Sequence, residues 1–279
     1  MSRLFPERLL PERLLVGLAP DAVSLLRVSG GAKPRALDRR TLLCESAPGE
    51  PWEGATAALS RLSSEIGKAS ARVTVTLSNH FARYALVPWS EGLARAQEEA
   101  AFARYCFARI HGERSKDWDL RLSPGASGAA RIASAVDAPL VRAVRSAFSG
   151  RAKLVSVQPY LMSAFNRARA QLAGARAWLL LVEPGRTCLA RLEQGRWAAV
   201  RNARGDADGP QQWAALLDRE RHLAGGDPSA EDVHVHGAKE WKTSTAKVDG
   251  WTFRNLAATS VEGLASSEAD PFAMALSAL

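Results

Sequence analysis

The chain has 279 residues, 37 of them Lys or Arg and 29 Asp or Glu, which gives a formal net charge of +8. This length is enough for two lobes, because single hydrophobic cores stop growing beyond roughly 250–300 residues. The longest apolar run, at 177–182, is far shorter than the ~20 residues that span a bilayer, so a membrane helix is not expected. The basic residues are mostly scattered arginines, and no basic run is interleaved with aromatics, which argues against nucleic-acid binding.

The cysteines and the start of the chain bear on the compartment. Cys44, Cys106 and Cys188 are odd in number and widely spaced, which is typical of neither a disulfide framework nor a zinc site. Charged residues interrupt the apolar positions of 1–15, so this stretch lacks the form of a secretory signal. We therefore expect a cytosolic protein.

The first elements are predicted from alternating and helically spaced apolar residues. A turn at Pro20-Asp21 joins the first two strands, which predicts a β-hairpin near the start of the chain. The predicted elements up to residue 87 are strands at 14–18, 23–28 and 42–44, a helix at 56–66, and strands at 73–77 and 84–87.

The middle of the chain contains the most regular helical pattern. From Leu93 to Ile110 the apolar residues step by three and four, and Ser90 is a suitable N-cap for this helix. Strands at 118–122 and 131–136 and a helix at 139–148 follow. We expect 73–148 to form a compact α+β unit.

The second half repeats the opening of the first. The predicted elements are a strand at 152–157, a helix at 159–172, strands at 178–182, 188–192 and 196–201, a helix at 210–222, strands at 232–236 and 248–253, and a helix at 271–279. A turn at Pro184-Gly185 again joins two strands into a hairpin. A hairpin-led unit in both halves is the organisation of a duplicated fold.

With this layout, the chain resembles the actin-like ATPase superfamily, and within it the PilM-like cytoplasmic proteins of type IV pili and the L-protein-like components of type II secretion. The resemblance covers nearly the whole chain. It is carried by Gly17-Leu18 in the first hairpin, the segment LSNHFARY at 77–84, QPY at 158–160 leading into AFN at 164–166, the second hairpin, and DPFAMAL at 270–276.

The resemblance implies an α/β, two-lobed actin-like fold, a duplicated ribonuclease H-like unit with an inserted α+β subdomain. The implied first lobe is 1–72, completed by 152–173 and 268–279. The implied inserted subdomain is 73–151, and the implied second lobe is 174–267.

The resemblance also locates a nucleotide site, and the chain departs from it at three turns. In the first turn, Gly17 is followed by Ala19 where the family has a metal-side Asp, while Asp21 lies two residues later and Pro20 lacks a backbone donor. The second turn has Glu183 in place of Asp, followed by Pro184 and Gly185. The adenosine turn keeps only Gly237. We interpret these residues as a vestigial nucleotide site.

The expected function is that of a non-catalytic scaffold, a pseudo-ATPase with no catalytic residue, no metal and no cofactor. The resemblance implies that it binds the cytoplasmic tail of a single-pass inner-membrane protein of a pilus or secretion platform, and associates with the membrane only through such partners. His80, Tyr84 and Trp89 are the residues expected to contact that tail. Self-association is left open.

Two alternatives follow from the same residues. A nucleotide-binding switch, or a sugar-kinase-like ATPase that uses ATP and Mg²⁺, needs a carboxylate near the phosphates, a role open to Asp21 or Glu183. His234 and His236 share one face of a predicted strand with Asp232, the spacing of a two-histidine metal site, but the sequence offers no third convincing ligand. We therefore favour a solvated or edge-strand pair that holds no metal.

Overall fold

A computed structural model describes residues 10–45, 49–66, 70–93, 95–174, 176–205, 207, 209–223, 231–237, 241, 245–256, 260–265 and 270–279. The chain divides into two compact units. The first comprises Met1–Phe81, Asp137–Ala164 and Ala258–Leu279, and the second comprises Ala82–Val136 and Phe165–Ala257. Among the helices of these described segments, none is long and apolar enough to cross a membrane.

Runs of one to three strands are separated by single helices along the chain. In order they are β1 (Glu12–Leu18), β2 (Ala22–Val28), β3 (Ala36–Leu43), α1 (Glu53–Ile66), β4 (Ala71–Leu77), β5 (Ala82–Val87), α2 (Ala96–His111) with a 3₁₀ turn (Gly112–Asp117), β6 (Trp118–Leu122), β7 (Arg131–Asp137), α3 (Ala138–Phe148), β8 (Lys153–Pro159), α4 (Tyr160–Ala168), β9 (Arg176–Glu183), β10 (Arg186–Glu193), β11 (Arg196–Arg204), α5 (Pro210–Leu223), β12 (Glu231–His236), β13 (Thr245–Val248), β14 (Trp251–Asn255), a 3₁₀ turn (Asp270–Phe272) and α6 (Ala273–Leu276).

The first unit is built on a five-stranded sheet with the order β3-β2-β1-β4-β8. The pairs β1–β2 and β2–β3 are antiparallel, whereas β1–β4 and β4–β8 are parallel. The strands β1 and β4 are nearly continuous runs of buried residues, as expected for central strands covered on both faces. Helices α1 and α3 pack together beside this sheet.

The end of the chain completes the core of the first unit. Phe272, Ala275 and Leu276 are buried against Leu15 and Leu26 of the first hairpin. A buried hydrogen bond of 2.7 Å joins the hydroxyls of Ser163 in α4 and Ser277. The DPFAMAL segment is therefore part of the core, although the helix predicted at 271–279 is in fact a 3₁₀ turn and the short α6.

The second unit contains a six-stranded sheet with the order β11-β10-β9-β12-β14-β13. The pairs β9–β10 and β10–β11 are antiparallel, and β9–β12 and β12–β14 are parallel. The strands β11-β10-β9-β12-β14 thus repeat the order and directions of β3-β2-β1-β4-β8. The duplicated α/β fold predicted from the sequence is confirmed.

Three tryptophans form the centre of the second sheet's core. Trp178, Trp213 and Trp251 are each almost fully buried, together with Phe253. The indole N–H of Trp251 donates to an Asp218 carboxylate oxygen at 3.0 Å, so its polar atom is satisfied within the packed helix and sheet. The amphipathic helix α5 covers this face of the sheet.

A smaller three-stranded sheet, β5-β7-β6, belongs to the same unit and is covered by α2. Its core includes Phe107, Trp118 and Ala133. The side-chain amide of Asn202 in β11 donates to the backbone oxygen of Ala82 in β5 at 2.9 Å, which links the two sheets of this unit. This sheet and α2 agree with the α+β unit expected here, but α3, which was predicted to belong to that unit, packs with α1 in the first unit.

Two predicted groupings differ from the structure. The strand at 73–77 was predicted to belong to the same unit as the strands that follow it. In the structure it lies in the first sheet between β1 and β8, because a strand whose residues are buried on both faces suits the centre of a sheet. The strand predicted at 248–253 is a hairpin of β13 and β14. Its turn is Asp249-Gly250, where both residues have positive φ, at 49° and 83°.

The long helix also begins later than predicted. Ser90 is not its N-cap, because α2 begins at Ala96 with Arg95 in the N-cap position. The predicted apolar stripe is only partly buried, with Ala103 and Phe107 inward and Ile110 66% exposed. A single helix on a three-stranded sheet has a narrow contact, and only two of the 16 residues of α2 are buried.

Candidate functional site

The turn after β1 is held by backbone hydrogen bonds within the first unit. The backbone N–H of Ala19 donates to the oxygen of Ala22 at 3.0 Å, which closes the turn on itself. The backbone oxygen of Leu18 accepts from the N–H of Ser78 at 2.9 Å, and the oxygen of Asp21 accepts from the N–H of Cys44 at 2.9 Å. The N–H of Ala19 is therefore already used inside the turn.

The space above Gly17 is occupied by side chains of the same unit. A Cβ at this position would lie 2.7 Å from the hydroxyl oxygen of Ser24 and 3.0 Å from the terminal methyl of Met274. Glycine is thus required here so that the end of the chain can pack against β1. This packing explains Gly17 without any phosphate.

The two residues considered for a metal-side carboxylate differ in side chain and exposure. Ala19 is half-buried and offers no oxygen ligand, whereas Asp21 is exposed to solvent. The sulfur of Cys44 lies 3.7 Å from the backbone oxygen of Ala19. Burial, with the nearby negative charge of Asp21, raises the pKa of the Cys44 thiol to about 11, so this thiol stays protonated at neutral pH.

The second turn joins β9 to β10 through Pro184 and Gly185. Gly185 has φ of +68°, so proline followed by a left-handed glycine has the form of a type II turn. The backbone oxygen of Gly185 accepts from the N–H of Gly205 at 3.1 Å. Conformation and this contact account for the glycine, and Pro184 supplies no N–H to a phosphate.

Arginines surround this second turn. Burial and the nearby charges of Arg204 and Arg83 lower the pKa of Arg186, while Glu183 raises it. Glu183 is half-buried and lies close enough to Arg186 to influence that titration. Its carboxylate therefore has a cationic neighbour in the chain itself, which an Mg²⁺ ion would have to compete with.

Gly237 follows β12, and β9 and β12 are parallel neighbours in the second sheet. Because the carboxyl ends of parallel strands meet at one edge of a sheet, Glu183 and Gly237 lie at the same edge. Gly237 has φ of +87°, which explains glycine at this position. Ala238 lies outside the described residues.

Of the residues predicted to form the nucleotide site, Gly17, Ala19 and Asp21 lie together in one turn of the first unit. Glu183, Gly185 and Gly237 lie together at one edge of the second sheet. Their joint role in a nucleotide site stays a prediction.

The three residues predicted to bind a partner do not form one cluster within a single unit. His80 lies in the buried turn after β4, where its backbone N–H donates to the hydroxyl of Ser78 at 3.1 Å. Tyr84 lies within β5 opposite Ser134, and Trp89 follows the end of β5 with 41% of its surface exposed. Of the three residues, Trp89 is the exposed one, and their role in partner binding stays a prediction.

The two histidines of β12 differ in how deeply they are buried. His236 is 4% exposed, and burial together with Arg167 lowers its pKa to about 4. Burial lowers the pKa of His234 as well, and Asp232 is paired with Arg254 at 3.2 Å. In the described part of the chain, no group of three or more His, Cys, Asp or Glu side chains is arranged to hold a metal ion.

The sequence does not reveal a cavity of about 1190 Å³ that lies in the second unit. It is lined at the starts of β9 and β12 and around the turn between β10 and β11, so it lies at the opposite edge of the second sheet from Glu183 and Gly237. Its principal polar lining residues are Arg176, Arg191, Glu193, Arg196, Glu231 and Asp232. No motif marks it, because these residues come from separate strands.

Comparison with known proteins identifies relatives by structure only. No protein-family model and no curated protein sequence matches the chain. A protein in the structure of the PilM-PilN type IV pilus biogenesis complex is similar over 96% of this chain and 96% of its own, with a TM-score of 0.62 and 16% identity.

Two further structures have the same fold. The cytoplasmic domain of EpsL, an inner-membrane component of the type II secretion system of Vibrio cholerae, aligns over 90% of this chain and 87% of its own, with a TM-score of 0.55 and 12% identity. A Bacteroides thetaiotaomicron protein of unknown function with an actin-like ATPase fold aligns over 85% and 86%, with a TM-score of 0.57 and 11% identity. This chain therefore has the actin-like ATPase fold, in the form shared by PilM and the cytoplasmic domain of EpsL.

Proposed function

We propose that this protein is a non-catalytic scaffold of an inner-membrane assembly platform of the type IV pilus or type II secretion kind. It acts in the cytoplasm and binds the cytoplasmic tail of a single-pass membrane partner, through which it reaches the membrane. The inserted α+β subdomain supplies the binding surface around Trp89, next to the sheet β5-β7-β6.

One observation carries this proposal. The chain matches a protein of the PilM-PilN complex over 96% of both chains, so neither chain has a large segment that the other lacks. The match to the EpsL cytoplasmic domain supports the same kind of assembly. Both names describe proteins that assemble with others, and neither name describes a chemical reaction.

The chemistry of the turns supports binding rather than hydrolysis. ATP hydrolysis on this fold needs backbone N–H groups around the phosphates and a carboxylate that positions Mg²⁺. Here Ala19 replaces one carboxylate and donates its N–H within its own turn. Pro184 removes a donor from the second turn, and Glu183 lies near Arg186.

A nucleotide-binding switch is the second candidate. It is favoured by the exposed carboxylate of Asp21, two residues from the position that Ala19 occupies. A switch of this kind would bind ATP with Mg²⁺ without necessarily hydrolysing it. The two candidates differ in whether nucleotide stabilises the protein.

The experiment that tests the scaffold uses the full chain with an affinity tag expressed in the native host. Purification under mild conditions is expected to recover membrane components of a pilus or secretion platform. The cytoplasmic tail of the recovered partner, made as a synthetic peptide, is then titrated calorimetrically onto the purified protein. Recovery of unrelated enzymes alone would contradict the proposal.

The binding surface is tested by Trp89→Ala. Exposed aromatic residues at the centre of an interface contribute ~2 kcal/mol or more, which corresponds to a roughly thirtyfold loss of affinity. The matched control is Tyr105→Ala, which removes another exposed aromatic, on α2. Circular dichroism confirms that both variants fold. If Trp89→Ala binds the tail as tightly as the wild type does, Trp89 is not part of the binding surface.

A further inference from the structure

The cavity at the edge of the second sheet has a floor of buried charge. The indole N–H of Trp178 donates to a carboxylate oxygen of Glu231, whose side chain is only 6% exposed. Arg191 crosses the Trp178 ring, with its guanidinium carbon 5.8 Å from the ring centroid. Trp178, Glu231 and Arg191 come from three neighbouring strands, so the pairing of these strands holds their side chains in fixed positions at the base of the cavity.

Each carboxylate in the lining already has a partner within the protein. Glu193 is paired with Arg191 at 3.2 Å, Asp232 is paired with Arg254 at 3.2 Å, and Glu231 accepts the indole N–H of Trp178. The acidic groups of the cavity are therefore satisfied. A ligand that enters the cavity is not needed to neutralise them.

Two arginines of the lining have hydrogen-bond donors to spare. Arg176 is half-exposed and its only ion pair among the described residues is a long one, 3.7 Å to Glu231. Arg196 is exposed, and its side chain has no hydrogen bond or ion pair to any residue that the structure describes. A guanidinium group presents a fork of N–H donors that matches a carboxylate.

The size and overall charge of the cavity indicate whether it suits a polyphosphate or an acidic peptide. The lining contains three arginines and three carboxylates, so it has no excess positive charge to attract a polyphosphate. Its volume of about 1190 Å³ is above the ~300–1,000 Å³ typical of small-molecule sites. Ala129, Trp197 and Ala198 add apolar surface beside the arginines. A short peptide with an acidic side chain fits this combination.

We propose that this cavity binds an acidic residue of the partner's cytoplasmic tail, with Arg196 and Arg176 as the groups that hold its carboxylate. The inference rests on the proposed function, since it specifies what the tail contains. It assigns a second contact to the tail, at the edge of the second sheet, in addition to the surface around Trp89.

The test uses fluorescently labelled synthetic peptides of the cytoplasmic tails of single-pass membrane proteins encoded beside this gene. Each peptide that binds the full-length protein is made again with its acidic residues changed to the corresponding amides. Affinities are measured for the wild type, for Arg196→Gln, and for the control Arg142→Gln, an exposed arginine on α3. Thermal unfolding shows whether each variant is folded.

The expected result is a thermodynamic cycle. A charge-assisted hydrogen bond is worth about a tenfold or greater change in affinity, so the amide peptide and Arg196→Gln should each lose about tenfold. Together they should lose no more than either one alone, and Arg142→Gln should bind as the wild type does. Arg196→Lys is expected to recover only part of the loss, because it keeps the charge but not the fork.

Three outcomes contradict parts of the account separately. If the acidic and amide peptides bind with the same affinity, both to the wild type and to Arg196→Gln, the cavity assignment is overturned. The proposal of a tail-binding scaffold would remain. Displacement of the peptide by millimolar inorganic phosphate would show that the site takes simple anions, and would overturn the acidic peptide as its ligand. Failure of every tail peptide to bind would contradict the proposed function itself.

Discussion

Gly17 lies in β1 where the end of the chain packs against the first hairpin. Gly17→Ala would place a Cβ 2.7 Å from the hydroxyl oxygen of Ser24 and 3.0 Å from the methyl of Met274. Overpacking a buried site of this kind costs about 1–3 kcal/mol. We expect the free energy of unfolding, measured by urea denaturation, to fall by this amount.

Two companion variants show whether crowding is the cause. In a Ser24→Ala background the shortest contact of Gly17→Ala is gone, so the substitution should cost less than it does alone. Gly92→Ala is the matched control, because its Cβ would meet nothing closer than 3.8 Å. An unchanged stability for Gly17→Ala would mean that the turn is looser than the structure indicates.

His236 makes the stability of the second unit depend on pH. Burial, with Arg167 nearby, lowers its pKa to about 4, below the ~6.5 of an exposed histidine. Between these two values the unfolded chain binds a proton that the folded chain does not, so stability is lost as the pH falls. From about pH 7 to about pH 5 this single group removes about 2 kcal/mol.

We expect His236→Gln to reduce that pH dependence, because glutamine does not titrate. The measurement is urea denaturation of wild type and variant at the two pH values, comparing differences rather than absolute stabilities. His222→Gln, at an exposed position of α5, is the matched control and should keep the wild-type dependence. An undiminished pH dependence in His236→Gln would show that His236 is more accessible to water than the structure indicates.

The helix α2 shows what a local pattern can and cannot predict. Its existence follows from the apolar spacing, but its start depends on which residue can supply a cap. The backbone N–H of Arg95 donates to the Glu98 carboxylate at 3.1 Å, a capping-box contact, whereas Ser90 lies before the turn that contains Gly92. Glycine disfavours helix by about 1 kcal/mol, which explains why the helix does not extend back to Ser90.

This assignment predicts a contrast between two substitutions. Glu98→Ala removes the capping contact and is expected to lower the stability of the protein by about 1 kcal/mol. Ser90→Ala changes an exposed loop residue and should alter stability by less than about 0.5 kcal/mol. Urea denaturation of both variants shows which residue caps the helix. A larger loss of stability for Ser90→Ala than for Glu98→Ala would mean that the helix begins near Ser90.

The strands were easier to predict than their partners. Alternating or continuous apolar residues predict the strands of both hairpins. The dipeptide Asp249-Gly250 is typical of a hairpin turn, and it separates β13 from β14. Sheet membership was harder, because β4 reads as a central strand in either of two sheets. Only its parallel pairing with β1, which is a long-range contact, resolves the choice.

At the scale of the whole molecule, the duplication could be predicted because each half opens with a hairpin. The repeated order of β3-β2-β1-β4-β8 and β11-β10-β9-β12-β14 confirms it. The cavity could not be predicted, since Arg176, Arg196 and Glu231 are far apart in sequence and meet only through the order of the second sheet. The departures at Ala19 and Pro184 were visible in the sequence, but the packing above Gly17 was not.

The central claim is that this actin-like fold acts by binding a protein partner and not by using ATP. The most direct measurement is thermal unfolding of the wild type and of Ala19→Asp, each with and without ATP and Mg²⁺. Nucleotide at 100 times its dissociation constant stabilises a protein by about 2.7 kcal/mol. We predict no stabilisation of either protein, because Ala19 donates its N–H within the turn and Pro184 lacks a donor. Stabilisation of the wild type by ATP and Mg²⁺ would contradict the claim.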